Sequence, residues 1–178
     1  MSYLNILEQS LPGVFILECF ANIDDRGSFS KIFHSDSLNN HGISFLPAES
    51  FLTCSHRYVL RGMHYQSGEA AHNKLVYCPK GHVLDVVVDI RPDSPNFNKP
   101  FSVELSDKSS NALFIGKGYA HGFISLDDDN WMFYMTDTVH CPARDQGILW
   151  SSIDFEWPIS DPIISQRDSL HPSIESKR

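Results

Sequence analysis

Two histidines stand in short, glycine-punctuated apolar stretches: His64 in "LRGMHYQ" and His121 in "GYAHGF". An imidazole titrates near neutrality, so each could move a proton, ligate a metal or fill a core. Arg61 lies three residues before His64, and its guanidinium fork matches the oxygens of a phosphate. Lys74 in "NKLVYC", Tyr134 in "FYMTD", Asp168 in "SQRD" and Arg26 in "DDRGSF" also carry chemistry. Singly, each has a plain structural reading: a solvent-facing lysine, a packing tyrosine, a surface acid, a turn arginine. A lone histidine in an apolar strand is likewise more often core than catalyst.

Metal is the weakest of the three histidine readings. A β-barrel metal site would usually present two closely spaced histidines and a carboxylate, as in H-x-H followed by Glu. Here Tyr65 and Gln66 follow His64, and His72 lies in "EAAHNK", which reads as a loop. Only His64 and His121 are placed as ligands, and two are too few. Cys19, Cys54, Cys78 and Cys141 form no C-x-x-C pair, so neither zinc nor a disulfide framework is indicated.

The elements that must position these residues read as strands. Turn signals recur at short intervals ("DDRG", "NNHG", "CPKG", "RPDSPNFNKP", "SDKSSN", "IGKG", "LDDDN"), with runs of Val, Ile, Leu, Phe and Tyr between them. That rhythm predicts an all-β sandwich or barrel. In "VLDVVVDI", Leu84, Val86, Val88 and Ile90 share one face, and Val83, Asp85, Val87 and Asp89 the other, as in an antiparallel strand with one apolar and one mixed side. Strict alternation would put Arg61 and His64 on opposite faces; a bulge at Gly62 would re-aim one of them. "SDSLNNHG" predicts one short helix ended by Gly42. From about residue 158 the chain turns Pro- and Ser-rich, predicting an irregular arm with frayed last residues.

The 178 residues, 42% hydrophobic, suffice for one domain over 1–178 with a real core. A formal net charge of -8 argues against a general nucleic-acid binder. The amino-terminal stretch lacks a signal-peptide pattern, and no run is long enough to span a membrane. A cytoplasmic protein with reduced thiols is expected.

Taken together, "DDRGSF", "LRGMHYQ", "KLVYCPKGHVLDVVVDIRPDSP", "ELSDKSSNALFIGKGYAHGF", "GILWSSIDFEWP" and "SQRD" follow the order and approximate spacing of the dTDP-4-dehydrorhamnose 3,5-epimerase family, which the chain resembles from about residue 12 to 170. The resemblance implies a cupin jelly roll (a double-stranded β-helix), a homodimer, no metal and no organic cofactor. It implies as substrate a nucleotide-diphosphate-linked 4-keto-6-deoxy sugar, inverted beside its ketone. A carbon acid next to a carbonyl needs a base near neutrality and a partner for enolate charge. By resemblance His64 is that base, Asp168 its partner, Lys74 the enolate stabiliser and Tyr134 the acid on the opposite face. His121 is similar to a second histidine near the sugar and Arg61 to a phosphate-binding arginine. Arg26 and Phe29 look like nucleotide contacts that reach across the dimer.

The chain departs from the family pattern in three places. Lys31 stands where an acid is frequent, "ESF" (Glu49 to Phe51) replaces a stretch close to Q-D-N, and Val139 and His140 replace a tyrosine pair. The first two changes suit cytosine better than thymine, making CDP the alternative to dTDP. The third, by removing phenols near the sugar, points to inversion at C3 alone. A nucleotide-sugar 3,4-ketoisomerase, a catalytically silent sugar-nucleotide-binding cupin and a metal-dependent cupin are the competing readings.

Overall fold

The alternating apolar pattern is realised as twelve strands within residues 2–178, which the computed structural model describes. In chain order these are β1 (Leu4–Leu11), β2 (Val14–Asp24), β3 (Gly27–Lys31), α1 (Ser35–Asn40), β4 (Glu49–Ser55), β5 (Leu60–Gln66) and β6 (Lys74–Lys80). There follow β7 (His82–Asp89), β8 (Pro100–Ser106), β9 (Asn111–Ile115), β10 (Tyr119–Ser125), β11 (Asn130–Thr136), β12 (Asp145–Gly147) and α2 (Gln166–Ser169). One sheet runs β1-β2-β9-β6-β11-β4, with β3 paired to β2; the other runs β12-β5-β10-β7-β8. All of these pairings are antiparallel, and the two sheets face one another as the expected jelly roll.

Side-chain alternation divides the apolar residues into three layers. Val76, Leu113 and Met132 of the first sheet meet Val83, Val87 and Phe123 of the second in the central core. The outer face of the first sheet buries Leu17, Leu75 and Phe114 against Leu38 of α1 and Phe45. Helix α1 sits where predicted, with His34 accepting from the Ser37 N–H at its start and Gly42 at φ +76° just beyond its end. The outer face of the second sheet buries Met63, Val86 and Val88 against Ile148, Ile153 and Ile174. Thus the "apolar side" of β7 faces the C-terminal arm, and its mixed side faces the interior of the sandwich.

The arm is better ordered than its composition predicts. Ile163 pairs with the Tyr58–Leu60 backbone through two hydrogen bonds of 2.9 Å, and α2 follows, its N-terminus capped by the Ser165 side chain. The last residues are regular: Ile174 is fully buried within a final turn spanning Ile174–Lys177. The Lys177 ammonium lies 4.9 Å from the Tyr65 ring centroid. Backbone pairing at Ile163, the Ser165 cap and the buried Ile174 together anchor the arm despite its polar composition. Among the described residues no helix is long and apolar enough to cross a membrane.

Truncating Ile174 to Ala should cost about 2–5 kcal/mol, the usual range for a fully buried aliphatic side chain, measured by urea unfolding. A loss below about 0.5 kcal/mol would show that the arm is not anchored there.

Candidate active site

One cavity of about 350 Å³ opens between the sheets, and Arg61, His64, Lys74, His121 and Tyr134 all line it. Strand β5 brings Arg61 and His64 to the same side by means of the anticipated bulge. His64 faces His121 and Arg61 faces Phe123, so three steps on β5 match two on β10. Gly62 makes this possible, with φ +134° and a Cβ position only 2.6 Å from the Gly122 Cα. Only glycine tolerates both the torsion and that approach.

His64 Nε2 lies 2.7 Å from Asp168 Oδ1. With that nitrogen donating to the carboxylate, Nδ1 keeps its lone pair and is free to accept a proton. The Gly62 N–H donates to Asp168 Oδ2 at 3.2 Å. Burial alone would raise the Asp168 carboxyl. The hydrogen bond and charge of His64, with the Gly62 N–H, outweigh it and hold Asp168 below the ordinary carboxylate range. The carboxylate therefore stays ionised and orients the imidazole.

Lys74 begins β6, and its Nζ lies 3.4 Å from the His64 carbonyl oxygen. Burial pulls its pKa down to about 8, with the charges of Asp85 and Asp145 opposing. Tyr134, on β11, is buried and stacks on Phe51 of β4 at 4.5 Å and 12°. Burial raises its phenol, so it remains a protonated donor at neutral pH. His121 Nε2 sits 2.9 Å from both oxygens of Asp85, a buried pair that fixes the histidine's ring. Arg61 donates Nε to Ser55 Oγ at 2.9 Å and Nη2 to the Cys54 carbonyl at 3.0 Å, which locks the fork while leaving donors for a ligand.

Glu49, Phe51 and His140 also line the cavity. Glu49 accepts the His140 N–H at 2.6 Å, and the His140 ring lies 3.3 Å from Asp145. The three residues assigned to the first motif are elsewhere. Arg26 is ion-paired to Asp24 in the β2–β3 turn, Phe29 is exposed, and the Lys31 ammonium sits 3.6 Å above the Tyr3 ring. None of them borders the cavity of its own chain.

Several residues escaped the sequence reading. Asp85 was visible as the acid interrupting the valines of β7, but its partner was not. His72, read as a loop residue, borders the cavity and is pushed down to about 4, mainly by burial. Asp145 and Arg167 form a 2.6 Å hydrogen bond at the cavity wall. His171 was passed over altogether, yet its Nε2 lies 3.4 Å from Asp168 Oδ1. The count of two placed ligands is corrected accordingly: His64, Asp168 and His171 bring three potential metal-ligating atoms within 4.8 Å of one another. The 2.7 Å separation of His64 and Asp168 is that of a hydrogen bond.

Around one cavity stand the His64 imidazole, hydrogen-bonded to Asp168 behind it, the buried Lys74 ammonium, the Tyr134 phenol and the Arg61 guanidinium. A family model described as dTDP-4-dehydrorhamnose 3,5-epimerase matches residues 8–176. The dTDP-4-dehydrorhamnose 3,5-epimerase of Shigella flexneri is 37% identical over 170 residues, 93% of each chain. The crystal structure of the enzyme of that name from Bacillus anthracis str. Ames, with TDP and PPi bound, has a TM-score of 0.92 at 29% identity, covering 96% of this chain and 99% of its own. That of ChmJ, a 3'-monoepimerase from Streptomyces bikiniensis in complex with dTDP-quinovose, has a TM-score of 0.88 at 30% identity, covering 94% and 86%. With the family model spanning nearly its whole length, the chain belongs to the dTDP-4-dehydrorhamnose 3,5-epimerase family.

Proposed function

We propose that the protein epimerises a nucleotide-diphosphate-linked 4-keto-6-deoxyhexose in deoxysugar biosynthesis. The observation that carries this reading is His64, hydrogen-bonded to the buried Asp168 behind it and lining one cavity with Lys74 and Tyr134. His64 Nδ1 takes the proton from the carbon beside the ketone, and the electron pair moves onto the ketone oxygen as an enolate. Asp168 stabilises the resulting imidazolium. The Lys74 ammonium offsets the enolate charge inside the cavity, where such a contact is stronger than in water. Tyr134 returns a proton to the opposite face, the enolate collapses to the ketone, and solvent resets both side chains. Arg61 holds the diphosphate.

Inversion at C3 alone is the favoured outcome. Val139 is exposed and His140 is tied to Asp145 and Glu49, so no phenol stands at the positions of the family's tyrosine pair. For the base, dTDP is the favoured nucleotide, in line with the ligands of the related structures. CDP stays the alternative: Glu49 lines the cavity, and Lys31 shares β3 with Phe29. A homodimer in which β2 and β3 carry Arg26 and Phe29 into the neighbouring site accounts for their exposure and their distance from this cavity. The four free cysteines fit a cytoplasmic setting.

Proton NMR in deuterium oxide with dTDP-, CDP- and GDP-linked 4-keto-6-deoxyhexoses tests the reading. Exchange at C3 with the dTDP sugar is expected; a clear preference for CDP, or a doubly inverted product with rapid exchange at C5, would overturn those assignments. His64→Asn should lower exchange by roughly 10²–10⁴-fold, the usual contribution of a general base, while the nucleotide still binds. Unchanged exchange would remove His64 from the mechanism.

Lys74 is charged below about 8 and neutral above it, so the rate should fall as pH rises through that value. Lys74→Arg, whose charge is permanent, should abolish this alkaline limb even if the overall rate drops. Persistence of the limb in the arginine variant would assign it to another group. Sedimentation equilibrium, with a dimer expected, tests the shared site; a monomer that turns over substrate at full rate would refute it.

A further inference from the structure

The Asp168 carboxylate serves two imidazoles. Its Oδ1 lies 2.7 Å from His64 Nε2 and 3.4 Å from His171 Nε2, while Oδ2 takes the Gly62 N–H. The two rings meet edge-on, with centroids 5.7 Å apart at 81°. Their surroundings differ: the His64 side chain is 32% exposed on the cavity, the His171 side chain only 10%. His171 Nε2 is buried and makes no hydrogen bond of good geometry. The approach depends on Gly147, which sits opposite His64 in the β12–β5 pairing. A Cβ at position 147 would overlap the His171 ring.

Two imidazoles sharing one carboxylate oxygen repel one another's charge, so the set holds one extra proton more readily than two. The buried ring is the one that loses this competition. We propose that His171 is a positioning residue: a buried imidazole, neutral and with its Nε2 beside Asp168 Oδ1, that confines the extra proton to His64 and moderates the basicity of His64. Burial, then the charge of His64, lower the His171 pKa, against the pull of Asp168. The moderating effect follows from electrostatics. The N–H dipole of a neutral imidazole beside Oδ1 offsets part of the negative charge that would otherwise stabilise the His64 imidazolium, so removing it makes His64 a stronger base. The other charged or titratable groups facing this pair are Lys74 on β6, the His121–Asp85 pair on β10 and β7, and Asp145 with Arg167 at the cavity wall. They are common to every variant compared.

This inference rests on the role proposed for His64, but its primary test needs no substrate. The full chain, labelled with ¹³C at the histidine Cε1 positions, is titrated by NMR to follow the His64 imidazole. His171→Leu keeps bulk and removes the N–H dipole; His171→Gln keeps a side-chain N–H. The His64 midpoint should rise by about half a pH unit or more in the leucine variant, within the range produced by a neighbouring donor or charge, and stay near its original value in the glutamine variant. Gly147→Ala, which displaces the ring while leaving the histidine in the chain, should shift the midpoint as His171→Leu does. Combining the two should add nothing further.

An unchanged or lowered midpoint in both His171→Leu and Gly147→Ala, or equal shifts in the leucine and glutamine variants, would reduce His171 to a packing residue. In the deuterium-exchange assay the acidic limb of kcat/KM should move upward in parallel in the leucine variant. Absence of exchange with every sugar in the unsubstituted protein would count against the proposed function. The titration would still decide the place of His171.

Discussion

A hydrogen bond of 2.7 Å joins His64 on β5 to Asp168 on α2, residues 104 positions apart. A strand residue and an arm residue can meet at that distance only if sheet and arm share a fixed frame. The frame comes from backbone pairing at Ile163, the side-chain cap at Ser165 and the buried Ile174. The bond also fixes the imidazole tautomer, and so decides which nitrogen is free to take a proton. The geometry of the site therefore depends on tertiary packing well outside the cavity.

The second constraint is the close approach of β5 to β10. Regular alternation would aim Arg61 and His64 at opposite faces. The bulge at Gly62 brings them into one cavity, at the expense of a regular ladder between the two strands. Around this irregular point the rest of the second sheet is regular, and its valines seal both faces. A rigid sheet with one re-aimed side chain holds both groups at fixed positions on the cavity wall.

Much of this was legible in the sequence because it is local. Turn residues at short intervals and two-residue alternation give strands directly, and the glycine beside His64 announced a bulge. The short helix ended by Gly42 was readable from its polar start and its glycine stop. What escaped depends on contacts between distant segments. Asp85 is a break in an apolar run until His121 is seen across the sheet, and His171 is one more polar residue in a Pro- and Ser-rich tail until Gly147 makes room for it. The tail's order was missed for the same reason: its composition speaks of solvent, while one isoleucine reaches a pocket formed by other parts of the chain. Lys31 lies on Tyr3, outside the cavity of its own chain, a placement that motif matching alone does not disclose.

The docked arm has a kinetic meaning beyond its geometry. Elements held by few anchors open more often than the core of a sheet, and they do so without global unfolding. If Asp168 leaves whenever the arm lifts, the working fraction of molecules follows the arm's own opening equilibrium, while spectroscopic signals of β-structure follow the sandwich. Inactivation on warming then becomes a separate event from melting, and it comes first. A protein of this design can be thermally robust as a fold and still be temperature-limited as a catalyst.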